Sequence, residues 1–196
     1  MTYELVVWHE AVPVTREEAL AASEKAAPHA GVAAFAKDLA ERAPGLDVSV
    51  NGRAVVRMAD EQADEVSALV YGLARAYELT CYDVDRELVL NLGPLGASRE
   101  MQLHTGDGMQ VVDPDLGLVR DALERISPQN PFAALVVFGQ HFIQVSPEAG
   151  GYELEYKDSV AGTLSRTDVS ALPEVQQAFE EYATGSRAFL DRFAWT

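Results

Sequence analysis

The sequence predicts an α+β fold in two halves, each a mainly antiparallel sheet with helices packed on one face. Three observations carry this expectation. Asn51-Gly52, the dipeptide best suited to a two-residue turn with both φ angles positive, lies between the β-branched runs 48–50 and 54–56. Apolar residues recur with a helical period at Val66, Leu69, Val70, Leu73, Ala74 and Tyr77, and again at Val175, Ala178, Phe179 and Tyr182. Gly93-Pro94-Leu95-Gly96-Ala97-Ser98 is a turn-forming run that separates an N-terminal half, 1–93, from a C-terminal half, 99–196.

In the first half, Tyr3-Glu4-Leu5-Val6-Val7-Trp8 reads as a strand from its β-branched and aromatic content. Thr15-Arg16-Glu17-Glu18 fits a capping box, with the hydroxyl accepting from a first-turn N–H while Glu18 reaches back. The Ala-rich helix that follows ends at Pro28. The next helix carries Val32, Phe35, Ala36, Leu39 and Ala40 on one stripe and stops at Pro44-Gly45. After the hairpin comes the longest helix, over about 61–78, and strands at 80–83 and 88–92 close the half.

In the second half, strands at 101–104 and 109–112 flank Thr105-Gly106-Asp107-Gly108 as a hairpin. Asp113-Pro114 offers an N-cap followed by proline at the first helical position, where no donor is lost. Leu116, Val119, Leu123 and Ile126 then form a buried stripe, terminated by Ser127-Pro128. Strands follow at 133–138, 141–145 and 152–157, with a fourth at 162–166. A last helix over about 172–184 ends at Gly185. Phe189, Phe193 and Trp195 dock back on the fold, since three aromatics in this short tail are costly to leave in water.

Composition narrows the function classes. The 196 residues hold 31 Asp+Glu against 15 Lys+Arg, a formal net charge of −16. Each half carries −8, so the charge is no appended tail. An apolar content of 48% removes the low hydrophobicity that keeps highly charged chains disordered. A lone cysteine, Cys81, excludes a disulfide framework and a Cys-rich zinc site. No apolar run nears the roughly 20 residues that span a bilayer, and Glu4 precedes any basic residue, unlike a signal peptide. The expectation is a cytoplasmic chain without membrane contact. Direct nucleic-acid binding is disfavoured, because a phosphate backbone attracts basic surfaces.

The search for chemistry returns absences. His9, His29, His104 and His141 never fall at metal-ligand spacing, and no zinc-hydrolase or deaminase signature occurs. His9 and Glu10 are adjacent on extended chain and point to opposite faces. His141 opens an apolar strand, a place for a structural hydrogen bond. The glycines at 93–96 and 106–108 lack the lysine and following helix of a phosphate loop and read as turns. Cys81 has no basic neighbour to activate it and reads as a buried thiol. The expectation is a non-enzyme with no catalytic residue, metal or cofactor.

Two acidic clusters stand out. Asp60, Glu61, Asp64 and Glu65 open a helix, where the helix dipole already accounts for them. Glu148, Glu153, Glu155 and Asp158 gather around Tyr152-Glu153-Leu154-Glu155-Tyr156. Alternation puts both inner glutamates on one face and Tyr152, Leu154 and Tyr156 on the other. Such a row is either the solvated face of a half-buried sheet or a partner-binding surface that speeds encounter with a cationic protein.

A wider pattern surrounds this strand. Phe142-Ile143-Gln144-Val145 and Gly151-Tyr152-Glu153-Leu154-Glu155-Tyr156-Lys157-Asp158 are followed by Thr167-Asp168-Val169-Ser170 and Glu174-Val175-Gln176-Gln177-Ala178-Phe179. Tyr182-Ala183-Thr184-Gly185 and Phe193-Ala194-Trp195 complete it. Over about 130–196, extending more weakly to Met101, the chain resembles a family of bacterial polymorphic-toxin immunity proteins that includes inhibitors of double-stranded-DNA deaminase toxins. It departs from the pattern at Lys157-Asp158-Ser159-Val160, which lacks the glycine that commonly follows the aspartate. The first half, through Tyr3-Glu4-Leu5-Val6-Val7-Trp8, Glu65-Val66-Ser67 and Thr80-Cys81-Tyr82-Asp83, is similar to uncharacterised bacterial proteins, with Val84 in place of a proline. The resemblance implies a cytoplasmic inhibitor whose partner is a basic toxin domain, a nucleic-acid-targeting deaminase or nuclease. It assigns no catalytic residue. The alternative is a small-molecule or regulatory binding module with a ligand cleft between the halves, lined by Trp8, Tyr82 and Phe142.

Overall fold

Leu5, Val6, Val7 and Trp8 are buried in succession, so β1 (Thr2–Trp8) is apolar on both faces. Such a strand belongs in the middle of a sheet. In the computed structural model, which describes residues 2–196, β1 lies antiparallel between β3 (Arg53–Ala59) and β4 (Thr80–Asp83). The outer strands are β2 (Asp47–Asn51) beside β3 and β5 (Leu88–Leu90) beside β4.

Both faces of this five-stranded sheet are covered. Thr15 and Glu18 close a capping box that starts α1 (Arg16–Glu24), with the Thr15 N–H donating to Glu18 at 3.1 Å. Val6, Trp8, Val55, Tyr82 and Val89 share the sheet face that packs on Ala19 of α1. On the opposite face lie α2 (Ala30–Arg42), buried through Val32, Phe35 and Leu39, and α3 (Ala63–Ala76). A 3-10 turn, Asp60–Gln62, leads into α3. The α+β class and antiparallel pairing agree with expectation. Helices nevertheless lie on both faces here, not one, because an unbroken apolar β1 needs cover on each side.

The expected hairpin is present with a different tip. Asn51 pairs with Arg53, so the turn centres on Gly52, which alone of the two has positive φ, at 72°. A Cβ on Gly52 would come 2.4 Å from the Ala26 carbonyl oxygen. The approach of that backbone requires glycine at the tip.

The second sheet is antiparallel throughout. In spatial order it runs β11 (Thr163–Val169), β10 (Gly151–Asp158), β9 (His141–Glu148), β8 (Ala133–Val137), β6 (Gln102–Thr105) and β7 (Gln110–Val112). Its helices, α4 (Leu116–Leu123), α5 (Leu172–Ala183) and the single-turn α6 (Phe189–Arg192), follow the one-face expectation. Val175, Ala178, Phe179 and Tyr182 of α5 are buried against the sheet side that carries Ile143, Val145, Leu154 and Tyr156. Phe189 is buried beside the Tyr156 and Trp195 rings, and Thr196 exchanges backbone hydrogen bonds with Arg166. The aromatic tail thus docks as expected.

One cap differs. Asp115, not Asp113, caps α4, its carboxylate accepting the Leu118 N–H at 3.0 Å. Asp113 takes a left-handed φ of 50° and its carboxylate accepts the Glu100 N–H at 2.7 Å. The two-residue shift moves the buried stripe to Leu118, Val119, Ala122 and Leu123, leaving Leu116 and Ile126 half-buried. The chain forms two compact units, 1–93 and 94–196. Among the described residues no helix is long and apolar enough to cross a membrane.

Candidate functional site on the open sheet face

The pairing register of the six-stranded sheet sorts the acidic cluster. Glu153 lies opposite Ser146 and Asp168, and Glu155 lies opposite Gln144 and Arg166. These residues, with Glu148 at the end of β9, face away from α5. Asp158 has the other parity: it pairs with His141 and Thr163, on the side of Tyr156.

The four expected residues therefore have different duties. Glu155 accepts from the Arg166 guanidinium at 2.6 Å and from the Gln144 amide at 3.1 Å, which neutralises it and fixes its rotamer. Asp158 accepts from the Val160 and Ala161 N–H groups, each at 3.0 Å, and closes the β10–β11 turn. This is how the chain does without the glycine expected after the aspartate; the positive φ of that turn falls later, at Gly162. Glu148 and Glu153 remain, and Asp168 joins them. Together with Gly151 and Ser170 they line an open cleft of about 560 Å³ at the end of the sheet. Among the described residues no ion pair engages Glu148, Glu153 or Asp168.

Gly151 shapes this end. A Cβ there would lie 2.4 Å from the Val169 carbonyl oxygen, so the close crossing of β10 and β11 depends on its absence. The expected strand at 162–166 stops short of Asp168, which the longer β11 brings into the sheet. A turn at 159–162 followed by strict antiparallel pairing places 168 opposite 153, and that is the signal available in the sequence.

The remaining candidates are structural. Trp8 and Tyr82 are buried in the core of the first unit, whereas Phe142 lies half-buried on the open face of the second. His29 caps α2, accepting the Gly31 N–H at 3.1 Å, and its ring stacks on His9 with centroids 4.0 Å apart. His104 contacts the Gln102 side chain at 2.9 Å, and burial holds its imidazole below the ordinary range. His141 shares a 2.7 Å hydrogen bond with the Tyr182 hydroxyl. Burial, and then the nearby Arg187 charge, lower its proton affinity despite an opposing contribution from Asp158. Cys81 is fully buried and desolvation pushes its thiol well up.

One further polar cluster lies under α3. Asp83 is completely buried and accepts from the Tyr3 and Tyr71 hydroxyls, from the Arg86 N–H at 2.9 Å and from its guanidinium at 3.1 Å. Burial first, and the Asp83 charge second, push both phenols far above their ordinary range. Both carboxylate oxygens are engaged internally, so this cluster fastens β1, α3 and β4 together. Among the described residues no three His, Cys, Asp or Glu side chains converge as metal ligands. No family model, curated protein or solved structure matches this chain.

Proposed function

We propose that the protein is a non-enzymatic immunity protein that binds and neutralises a bacterial toxin acting on nucleic acid, a deaminase or a nuclease. The observation that carries this reading is the group of uncompensated carboxylates, Glu148, Glu153 and Asp168, at one end of the open sheet face. A toxin that handles nucleic acid presents a basic substrate channel. A −16 protein with unpaired carboxylates on an accessible face is complementary to that channel and repels the nucleic acid itself. The resemblance of residues 130–196 to immunity proteins of deaminase toxins supports the same reading. The inhibitor acts in the cytoplasm of the producing cell, where the toxin is made.

The test is a titration. A nucleic-acid-modifying toxin domain, sought among the products of neighbouring genes, is assayed for activity with increasing amounts of the purified protein. Activity should vanish near a one-to-one ratio. Undiminished activity at saturating protein overturns the reading.

A further inference from the structure

The open face carries more than carboxylates. Reading the register across it, Val112, Val136, Phe142 and Leu164 share one cross-strand row with Gln102 and Lys157. Phe138, in the turn just beyond β8, lies at the same end of the sheet; it is 64% exposed, Val112 48% and Leu164 47%. The next row is polar, with His104, Gln144 and the Glu155–Arg166 pair. Glu153 and Asp168 come after that, about 13 Å along the strands from the apolar row at about 3.3 Å per residue. Six strands at about 4.8 Å make the face about 24 Å wide. It thus grades from apolar to acidic along the strand direction, and no helix of its unit covers it.

A solvated sheet face alternates apolar-in with polar-out, whereas here Val112, Phe138 and Leu164 are exposed and Val136 and Phe142 are half-buried between them. Contiguous exposed apolar surface beside charged residues marks a protein-binding site, with the apolar centre supplying affinity and the charges steering. The charge decides the occupant. A second copy of this chain would bring its own −16 and the same carboxylates, and a nucleic acid would be repelled. A basic protein is attracted.

We infer that the open face of the six-stranded sheet is the docking surface for a basic protein partner, with Phe138, Phe142 and Leu164 as its apolar anchor and Glu153 and Asp168 as its charged margin. The partner presents an apolar patch bordered on one side by lysines or arginines. This inference rests on the toxin-binding reading above and names the surface that performs it.

The experiment uses the full chain and the toxin domain that it neutralises in the titration above. The double variant Phe138→Ser/Leu164→Ser removes exposed apolar groups, and the matched control Val12→Ser/Leu20→Ser removes exposed apolar groups of the first unit. The anchor variant should bind at least about 30-fold more weakly, and the control within twofold. Amide hydrogen exchange of the wild-type complex supplies a footprint that depends on no variant, with protection expected on β8–β11. Tight wild-type binding that the anchor variant leaves within twofold, or a footprint confined to 1–93, overturns the docking surface while the toxin-binding function stands. A wild-type chain that does not bind the toxin overturns the function, and this inference with it. A chain that sediments alone as a dimer, and as a monomer after the anchor substitutions, assigns the face to a second copy and also overturns the inference.

Discussion

Asp83 ties three elements of the first unit together. It has no exposure, and four donors from β1, α3 and the β4–β5 turn meet on its two oxygens. Asp83→Ala strips the Arg86 guanidinium of the fully buried carboxylate it pairs with at 3.1 Å. Loss of one partner of a buried pair costs about 3–5 kcal/mol, and chemical denaturation should show that drop. His141 gives a pH-dependent signature in the second unit. Its folded proton affinity is lowered by burial and by Arg187, so the unfolded chain takes up the proton first. Its contribution to stability is therefore complete above the ordinary histidine value of about 6.5 and is lost as pH falls below that, toward the lowered folded value. His141→Gln, which can still meet the Tyr182 hydroxyl, should lose less melting temperature than wild type between pH 7.5 and 5.5. An equal loss in both proteins would show that His141 does not titrate in this way.

At the scale of elements, helix ends and turns divide what the sequence makes legible from what it does not. The capping box at Thr15–Glu18 and the stripes of α3 and α5 are read directly, because local chemistry and period decide them. Asp113-Pro114 misleads. It satisfies the local rule for a helix start, yet the N–H of Glu100 claims the Asp113 carboxylate and the cap passes to Asp115. Tertiary partners compete for the same acceptor, and no window of sequence contains both. Asp115→Ala should accordingly cost about 1 kcal/mol in thermal or denaturant unfolding. A negligible change there would return the cap to Asp113. The acidic cluster divides in the same way. Its presence on β10 is visible in the alternation of Glu153 and Glu155, but the partners that neutralise Glu155 and engage Asp158 come from β9, β11 and the following turn. Asp168 becomes visible only once the length of β11 is known.

For the whole molecule, charge and shape point to one surface. Both halves are equally acidic, so net charge alone selects no site. Selection comes from the second sheet, whose helices lie on one side and leave the other bare, with an apolar row at one end and uncompensated carboxylates at the other. In the first unit the same layout is prevented, because α1 covers the face that α2 and α3 leave free. We propose that Glu153 and Asp168 guide a basic toxin onto the open face. Glu155 is a poor probe, since its reversal would also break the Arg166 pair. The most direct measurement is therefore the association rate of the toxin domain with wild type and with Glu153→Lys/Asp168→Lys, across a range of ionic strength. The reversed protein should fold normally, associate about tenfold more slowly at low salt, and lose most of its salt dependence. An unchanged rate at low salt in a folded variant would show that these carboxylates do not guide the partner.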